Sequence, residues 1–252
     1  MTARKPKPTA PHPSPPTESR TGAGRQTVDQ EAVTWIAAHR PEACAAPGTL
    51  AWEPQVLLPD VTWFADARMA DSIHGVLHNA RVSLLVTLLA HLHGLGDDQI
   101  AALRVAAAVH DCRRRNDRTD PGHGHRSARW TRRNQGTVTD TFGLPLTDHL
   151  EAVLTAISLH DVPYGRFTAA QELAYRQSPT LTDLLKAADA LDRYRLPHLR
   201  WWPDPTYLRV EPPDWLHPLA CDLVMHSEQA RIDGATHHQA LTHAQQTLTP
   251  RQ

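Results

Sequence analysis

The sequence lacks the features that mark secreted and membrane proteins. Its 252 residues include only three cysteines, Cys44, Cys112 and Cys221, which stand far apart and form no CxxC pair. This odd, scattered set indicates no disulfide framework and favours a reducing compartment. The longest apolar stretch, residues 82–92, is too short for a membrane span, and the N-terminus has no apolar run typical of a signal peptide. We therefore predict a cytoplasmic protein without a membrane segment.

An excess of charge of either sign is also missing. The formal net charge is −1, so the overall composition favours neither nucleic acid nor an acidic partner. Residues 1–27 are rich in proline, threonine and arginine and contain almost no large apolar side chains. Such a segment buries too little surface to offset its ordering entropy, so we predict a disordered tail. Its basic side chains could contact an anionic partner, but a solvated tail is the favoured interpretation.

What the chain does contain is helical periodicity. Apolar residues recur at helical spacing between capping residues and glycines, without any strand-period run or internal repeat. The predicted helices cover about residues 28–40, 71–93, 97–110, 123–134, 147–160, 168–177, 180–193, 215–232 and 235–248. Two proline-rich stretches, residues 41–59 and 196–213, are predicted to be irregular. We predict an all-α fold with a single domain over residues 28–252.

Polar residues capable of binding metal stand beside these helices. His74 and His78 are four residues apart, which on a helix places them on one face, although this spacing alone is a weak signal. A run of small apolar residues leads directly into His110 and Asp111. Burying a carboxylate there is costly unless it is paired or coordinates a metal. An imidazole and a carboxylate together suit Zn, Mn, Fe, Co or Ni, and a carboxylate can bridge two ions.

Three further groups follow, and they comprise His123 with His125, then His160, then Asp189. The histidines stand at the start of one predicted helix and at the end of another. Asp189 lies mid-helix among alanines and leucines, where an unpaired carboxylate would again be costly. An ion pair with Lys186 or Arg193 explains Asp189 equally well when it is considered alone.

The order of these groups is more specific than any one of them. From the N-terminus it reads His, His-Asp, His, His, Asp, with each group on a separate predicted helix. Four segments carry it: H-G-V-L-H-N-A-R-V, H-D-C-R-R-R-N-D, D-P-G-H-G-H-R-S-A and A-A-D-A-L-D. Through them, residues 72–195 resemble the HD-domain superfamily of metal-dependent phosphohydrolases. The resemblance implies an HD-type helical bundle over that half of the chain, followed by additional C-terminal helices.

The resemblance also implies a set of metal ligands. They are His78, His110, Asp111, His123, His160 and Asp189. Within this set His110 and Asp111 form the defining pair, and Asp111 is able to bridge two ions. His74 competes with His78, and His125 is an alternative to His123. Because both histidine positions added in two-metal members are filled, the sequence favours two divalent ions of Fe, Mn, Co, Ni or Zn.

The implied activity is hydrolysis of a nucleotide or another small phosphate ester. A metal pair lowers the pKa of a bound water and neutralises phosphate oxygens. Arginine suits phosphate because its planar fork binds two oxygens at once. We therefore predict catalytic roles for Asp111, Arg81 and Lys186, and substrate-binding roles for Arg115, Arg126 and Arg193.

Two other functions stay open from the sequence. Some members of the same superfamily are dinuclear-iron oxygenases with the same ligands, and histidine-rich ligation suits iron as well as manganese. A non-catalytic binding module is disfavoured because the ligand set is intact. Trp201, Trp202 and Tyr207 could stack on a nucleobase, but a hydrophobic lid packed on the helices is the favoured interpretation. The oligomeric state stays open.

Overall fold

The computed structural model describes residues 26–44 and 55–248. In that part of the chain the regular structure consists of α-helices and short 3₁₀ turns without a strand, which confirms the predicted all-α class. The helices are α1 (Gln30–Ala38), α2 (Val76–Leu92), α3 (Asp97–Val109), α4 (His123–Arg133), α5 (Gln135–Phe142), α6 (Leu150–Leu159), α7 (Ala169–Gln177), α8 (Pro179–Leu191), α9 (Leu216–Ile232) and α10 (His237–Leu248). None of these described helices combines the length and the apolarity needed to cross a membrane.

The predicted disordered tail lies almost entirely outside the described residues. Only its last two residues are described, and they do not extend freely into solvent. The carbonyl oxygen of Gln26 accepts a hydrogen bond from the backbone N–H of Ile73 at 3.0 Å. Gln26 also donates its own backbone N–H to the Asp117 carboxylate. Gln26, which falls within the predicted tail, therefore contacts the fold.

The core of the fold is centred on α2. Residues 76–90 of this helix are buried on every face. Helix α2 packs against α3 and α8, α6 packs against the same two helices, and α4 lies on α6. Residues 106–108 at the end of α3 are alanines with no exposed surface, and their small side chains let neighbouring helices approach closely. This packing brings the C-terminal ends of α3 and α6 beside the starts of α2 and α4 and the last turns of α8.

Helix α2 begins later than the sequence predicts. Residues Ala67–Asp71 form a 3₁₀ turn, and the α-helix starts only at Val76, after Gly75. A Cβ atom at position 75 would lie 2.1 Å from the carbonyl oxygen of Ala70, so this tight turn accommodates only glycine. The predicted start near residue 71 is therefore wrong, because a close backbone approach overrides the local capping preference.

The periphery contains one helix that the sequence analysis missed. Helix α5 buries only Val138 and Phe142, which are one turn apart. Phe142 makes an edge contact with Trp63, with ring centroids 5.4 Å apart. So few apolar positions give no detectable periodicity. The C-terminal helices α9 and α10 pack against each other, and α1 packs on α9.

The segment 196–213 is irregular, as predicted, apart from two short 3₁₀ turns. Trp202 packs edge-on against Trp35 and Tyr194, with centroid distances of 5.7 and 4.8 Å. Tyr207, in contrast, is 74% exposed. The aromatic residues of this segment therefore do not form one shared stacking wall, and Trp202 contributes to packing.

Candidate metal centre

The six side chains predicted as ligands meet in one place, which we call the His/Asp cluster. It comprises His78, His110, Asp111, His123, His160 and Asp189. Five helices supply them. His110 and His160 occupy the C-terminal ends of α3 and α6, His123 is the first residue of α4, and the others lie on or next to α2, α3 and α8. Helix ends are well suited to this role because their side chains can converge without steric conflict between helix bodies.

The first half of the cluster contains His78, His110, Asp189 and one oxygen of Asp111. His78 Nε2 lies 3.2 Å from His110 Nε2, 3.4 Å from Asp189 Oδ1 and 3.6 Å from Asp111 Oδ2. His110 Nε2 lies 3.8 Å from Asp189 Oδ1. Four donor atoms, supplied by α2, the end of α3 and α8, thus come close together.

The second half contains His123, His160 and the other oxygen of Asp111. Asp111 Oδ1 lies 2.9 Å from His123 Nε2 and 3.3 Å from His160 Nε2. The two Nε2 atoms are 3.0 Å apart. Asp111 therefore reaches both halves, one with each carboxylate oxygen. Its Oδ1 atom is buried and has no hydrogen-bond partner.

Each histidine of the cluster has its Nδ1 atom occupied by an acceptor. The partners are the carbonyl oxygen of Ala107 for His110, of Asp120 for His123 and of Ile157 for His160, and the Asp192 carboxylate for His78, all at 2.7 Å. Because a carbonyl oxygen accepts and never donates, Nδ1 carries the proton in these rings. A ring that carries no second proton keeps a lone pair on Nε2, and the Nε2 atoms of all four rings point at the cluster.

This arrangement fits divalent metal ions. Lone pairs facing one another at 3.0–3.2 Å repel unless a cation lies between them. Metal–nitrogen bonds of about 2.0–2.1 Å place neighbouring ligand atoms roughly 3.0–3.4 Å apart. This range matches the second half and the two shorter distances of the first half. A hydrogen bond from the outer ring nitrogen to a carbonyl or carboxylate is also the usual environment of a metal-bound histidine.

The carboxylates of the cluster are ionised. Burial favours their protonated forms, but neighbouring groups outweigh it and hold the pKa of Asp111 and of Asp189 well below the usual value. For Asp111 these groups are His123, His110 and the Arg114 guanidinium. For His123 burial acts in the opposite direction and lowers the pKa. The Asp111 carboxylate outweighs burial and raises the pKa of His123 to about 9. The cluster therefore attracts positive charge, either a proton or a metal ion that displaces it.

Arg81 does not occupy the place predicted for it. Its side chain is fully buried and donates to Asp192 Oδ1 at 2.6 Å and to Glu228 Oε1 at 2.8 Å. Asp192 in turn accepts from His78, so Arg81 lies behind the cluster rather than at its open side. The catalytic role predicted for Arg81 does not fit this burial. Its role is to hold the carboxylate that orients His78.

Lys186 lies close to the cluster but faces backbone. Its Nζ donates to the carbonyl oxygens of His160 at 2.9 Å and Val162 at 2.7 Å. Burial lowers the pKa of Lys186 to about 8, against the opposing effect of nearby carboxylates that include Asp189. The lysine therefore fixes the chain around a cluster histidine, and it also interacts electrostatically with Asp189.

Of the three consecutive arginines after the His-Asp pair, the one at the cluster is Arg114. Its Nη1 lies 3.3 Å from His123 Nε2 and 3.8 Å from Asp111 Oδ2. The carbonyl oxygens of Asn116 and Arg118 hold the rest of the guanidinium. Arg115, predicted from the sequence as the substrate-binding residue of the three, is exposed. Periodicity could not separate these neighbours because they follow the helix end, where the direction of side chains is set by the loop.

The other predicted substrate-binding arginines are held away from the cluster. Arg126 donates to Asp120 Oδ2 at 2.6 Å, and Arg193 donates to the carbonyl oxygen of Trp201. Neither has a contact with a cluster residue among its hydrogen bonds. Both are therefore better explained as residues that secure loops.

The structure separates the alternative ligands. His74 lies in the turn ahead of α2 and pairs through Nδ1 with Asp117 Oδ1 at 2.8 Å, outside the group of converging atoms. The predicted common helical face of His74 and His78 is therefore wrong. His125 is exposed and lines a surface groove between α4, α6 and α7. His78 and His123 are the histidines that reach the cluster.

Gly124 explains how α4 comes close enough for His123 to take part. A Cβ at this position would lie 2.5 Å from the carbonyl oxygen of Ile157 and 2.9 Å from His160 Nδ1. Only a residue without a side chain allows this approach of α4 to α6. The second half of the cluster therefore depends on a glycine that the sequence analysis left without a role.

Comparisons of the chain with protein-family models, curated proteins and solved structures gave no match. The interpretation of this site rests on its own geometry and on the order of its ligand motifs.

Proposed function

We propose that the chain is a metal-dependent phosphohydrolase that acts on a nucleotide or another small phosphate ester, as the motif order resembling the HD-domain superfamily implies. The observation that carries the proposal is the convergence of four histidine Nε2 atoms and two ionised carboxylates. Asp111 in particular directs one oxygen into each half, and its buried Oδ1 faces the Nε2 atoms of His123 and His160. This donor set suits two divalent ions of the Mn, Fe, Co, Ni or Zn group.

The charge of such a centre favours an anionic substrate. Two divalent ions carry twice the charge of the two carboxylate ligands, Asp111 and Asp189, so positive charge remains. Arg114 adds a further positive charge beside the second half. Because guanidinium groups bind phosphate oxygens in a planar, directed way, Arg114 is the side chain suited to hold the phosphate.

The cluster has an open side for a small substrate. The side chain of Asp189 is 28% exposed, whereas the side chains of His78, Asp111 and His160 are nearly inaccessible. A substrate therefore approaches from the side of Asp189, with Arg114 near its phosphate. Metal ions held by the six cluster residues would supply a water of lowered pKa and would neutralise charge on phosphate oxygens. The histidine–carbonyl hydrogen bonds keep the ligands in place during the reaction.

A dinuclear-iron oxygenase is the second candidate. Four of the six cluster ligands are imidazoles, and such ligation suits iron as well as manganese. The position of Arg114 favours the hydrolase because oxygen activation has no need for a phosphate-binding cation at this place.

Metal analysis combined with an activity screen tests the proposal. The protein is purified without added metal, analysed for elements, reloaded with each candidate ion and assayed on p-nitrophenyl phosphate, its diester and nucleoside monophosphates, with O₂ consumption recorded in parallel. We expect up to two ions per chain and metal-dependent phosphate release. Asp111→Ala is expected to lose metal and to reduce the rate by at least about 1000-fold, because it removes the shared ligand.

Asp140→Ala is the matched control, since Asp140 is exposed on α5. It should keep both metal content and rate. The hydrolase proposal is wrong if no ion binds, or if Asp111→Ala leaves metal content and phosphate release unchanged. O₂ uptake by the iron-loaded protein without any phosphate release would favour the oxygenase instead.

A further inference from the structure

The two halves of the His/Asp cluster are not equivalent in charge. The first half has the carboxylate of Asp189 in addition to its share of Asp111. The second half has no carboxylate ligand of its own and relies on Asp111 Oδ1 together with His123 and His160. A divalent ion in the second half therefore has less negative charge among its ligands.

The second half also has a fixed cation beside it. Arg114 Nη1 lies 3.4 Å from His123 Nδ1 and 3.3 Å from His123 Nε2, so the guanidinium lies against the ring itself. The carbonyl oxygens that hold this guanidinium leave it little freedom to turn away. Asp161 Oδ2 lies 3.3 Å from His123 Nδ1 and offsets part of this charge from behind the ring. It is not positioned as a ligand, because His123 Nε2 faces the cluster.

From these contacts we propose that the second half is the weaker ion site and is filled cooperatively with an anion that binds between its ion and Arg114. The inference rests on the metal centre of the proposed function. An anion such as phosphate neutralises the guanidinium and supplies oxygen ligands to the ion, so it removes the repulsion and completes the coordination. The first half, with its own carboxylate, fills without that help.

Titration of the full chain with Mn²⁺ tests this coupling. Free Mn²⁺ is followed by its electron paramagnetic resonance signal, first without added anion and then with an excess of inorganic phosphate. We expect one tight and one weak ion in the absence of phosphate. Phosphate should strengthen only the weak site, by about tenfold, a coupling of ordinary size between two ligands. By reciprocity, the second equivalent of Mn²⁺ should strengthen phosphate binding by the same factor.

Arg114→Gln removes the proposed link. Without phosphate, its second Mn²⁺ should bind more tightly than in the wild type, and the effect of phosphate should fall below about threefold. Arg115→Gln is the matched control because Arg115 is the adjacent residue but is exposed. It should reproduce the wild-type titration. Circular dichroism confirms that each variant is folded. The measurement of phosphate binding with and without the second Mn²⁺ uses the wild type alone, so it does not depend on the folding of a variant.

The outcomes separate this inference from the proposed function. If the chain binds no Mn²⁺, the metal centre and the inference both fail. If two ions bind equally, if phosphate changes neither affinity, or if Arg114→Gln keeps the full coupling, only the inference is overturned. If the coupling is observed but no phosphate ester is hydrolysed under any loading, the inference stands and the hydrolase proposal fails.

Discussion

Two groups of buried charges lie next to each other in this protein, and they are satisfied in different ways. The first, which we call the charge network, consists of Arg81, Asp192, Glu228 and Arg195. Arg81 binds both acidic residues at 2.6–2.8 Å, and Arg195 lies 3.5 Å from Asp192. In the charge network every charge faces an opposite one. In the His/Asp cluster, lone pairs and carboxylate oxygens face each other instead.

The difference separates a structural network from a candidate binding site. Burying charge is costly in either case and is tolerated only when the charge is compensated. The charge network is compensated by residues of the chain itself. Near the His/Asp cluster the chain offers Arg114, Lys186 and a proton on His123, and a bound cation would supply the rest of the compensation. His78 links the two groups, because its ring contacts Asp192 on one edge and the cluster on the other.

The largest effect on stability is expected in the charge network. Arg81→Met leaves Asp192 and Glu228 buried without their main partner, so the free energy of unfolding should fall by about 3–5 kcal/mol. Because this compensation is internal, the loss should be present in chelator-treated protein as well as in metal-loaded protein. Urea unfolding followed by circular dichroism measures it. A loss confined to the metal-loaded form would show that the charge network belongs to the metal centre.

Metal removal should have the next largest effect on the free energy of unfolding, and this effect should depend only on the residues of the His/Asp cluster. An ion present at a hundredfold excess over its dissociation constant stabilises the folded chain by about 2.7 kcal/mol. Chelation should therefore lower the free energy of unfolding of the wild type by about that amount. Asp111→Asn lacks the shared carboxylate and should show little difference between metal-loaded and chelated samples. An equal response in both proteins would contradict the assignment of the ions to this cluster.

A smaller effect is expected where α4 approaches α6. In Gly124→Ala the new methyl group meets the backbone of Ile157, so the two helices must separate. We expect a loss of about 1–3 kcal/mol in stability, as for other overpacked sites, and the loss of one metal ion per chain. Gly136→Ala is the control, because nothing lies within 4 Å of a Cβ there. It should be neutral or slightly stabilising and should keep full metal content.

The smallest effect is expected for an arginine outside both groups. Arg126 is partly exposed and pairs with Asp120, so Arg126→Gln should change stability by no more than about 1 kcal/mol. Metal content should not change. A clear loss of metal or a large rise in KM in this variant would place Arg126 at the site after all, as the sequence analysis predicted.

Several parts of the fold could be predicted because they depend on short-range preferences. Thr168 begins α7 through a capping box with Gln171, and the predicted start of that helix is accordingly correct. The alanines before His110 indicated a buried helix end, and the structure buries that histidine completely. The start of α2 was missed because it is decided by the close approach of Gly75 to the backbone of Ala70. Helix α5 was missed because only two of its apolar side chains are buried.

For the candidate site, the side chains of the cluster were predicted, but the residues around them were not. The sequence pointed to the six side chains that meet in the cluster, through the order of their motifs. It gave no sign that Asp192 orients His78, although this residue stands only three positions after Asp189. It also indicated a catalytic role for Arg81 and favoured Arg115 over Arg114. These three points depend on which way a side chain turns once the helices have packed.

By itself, the sequence determined the helical class, the approximate helix limits and the residues able to bind metal, because these follow from residue type and from spacing within a few positions. Only the tertiary structure decided which of these residues meet. The hydrogen bond from Arg81 to Glu228 joins residues 147 positions apart, and His78 meets Asp192 across 114 positions. No local preference encodes such contacts, since they exist only when separate helices bury their apolar faces against one another and the ends of those helices converge.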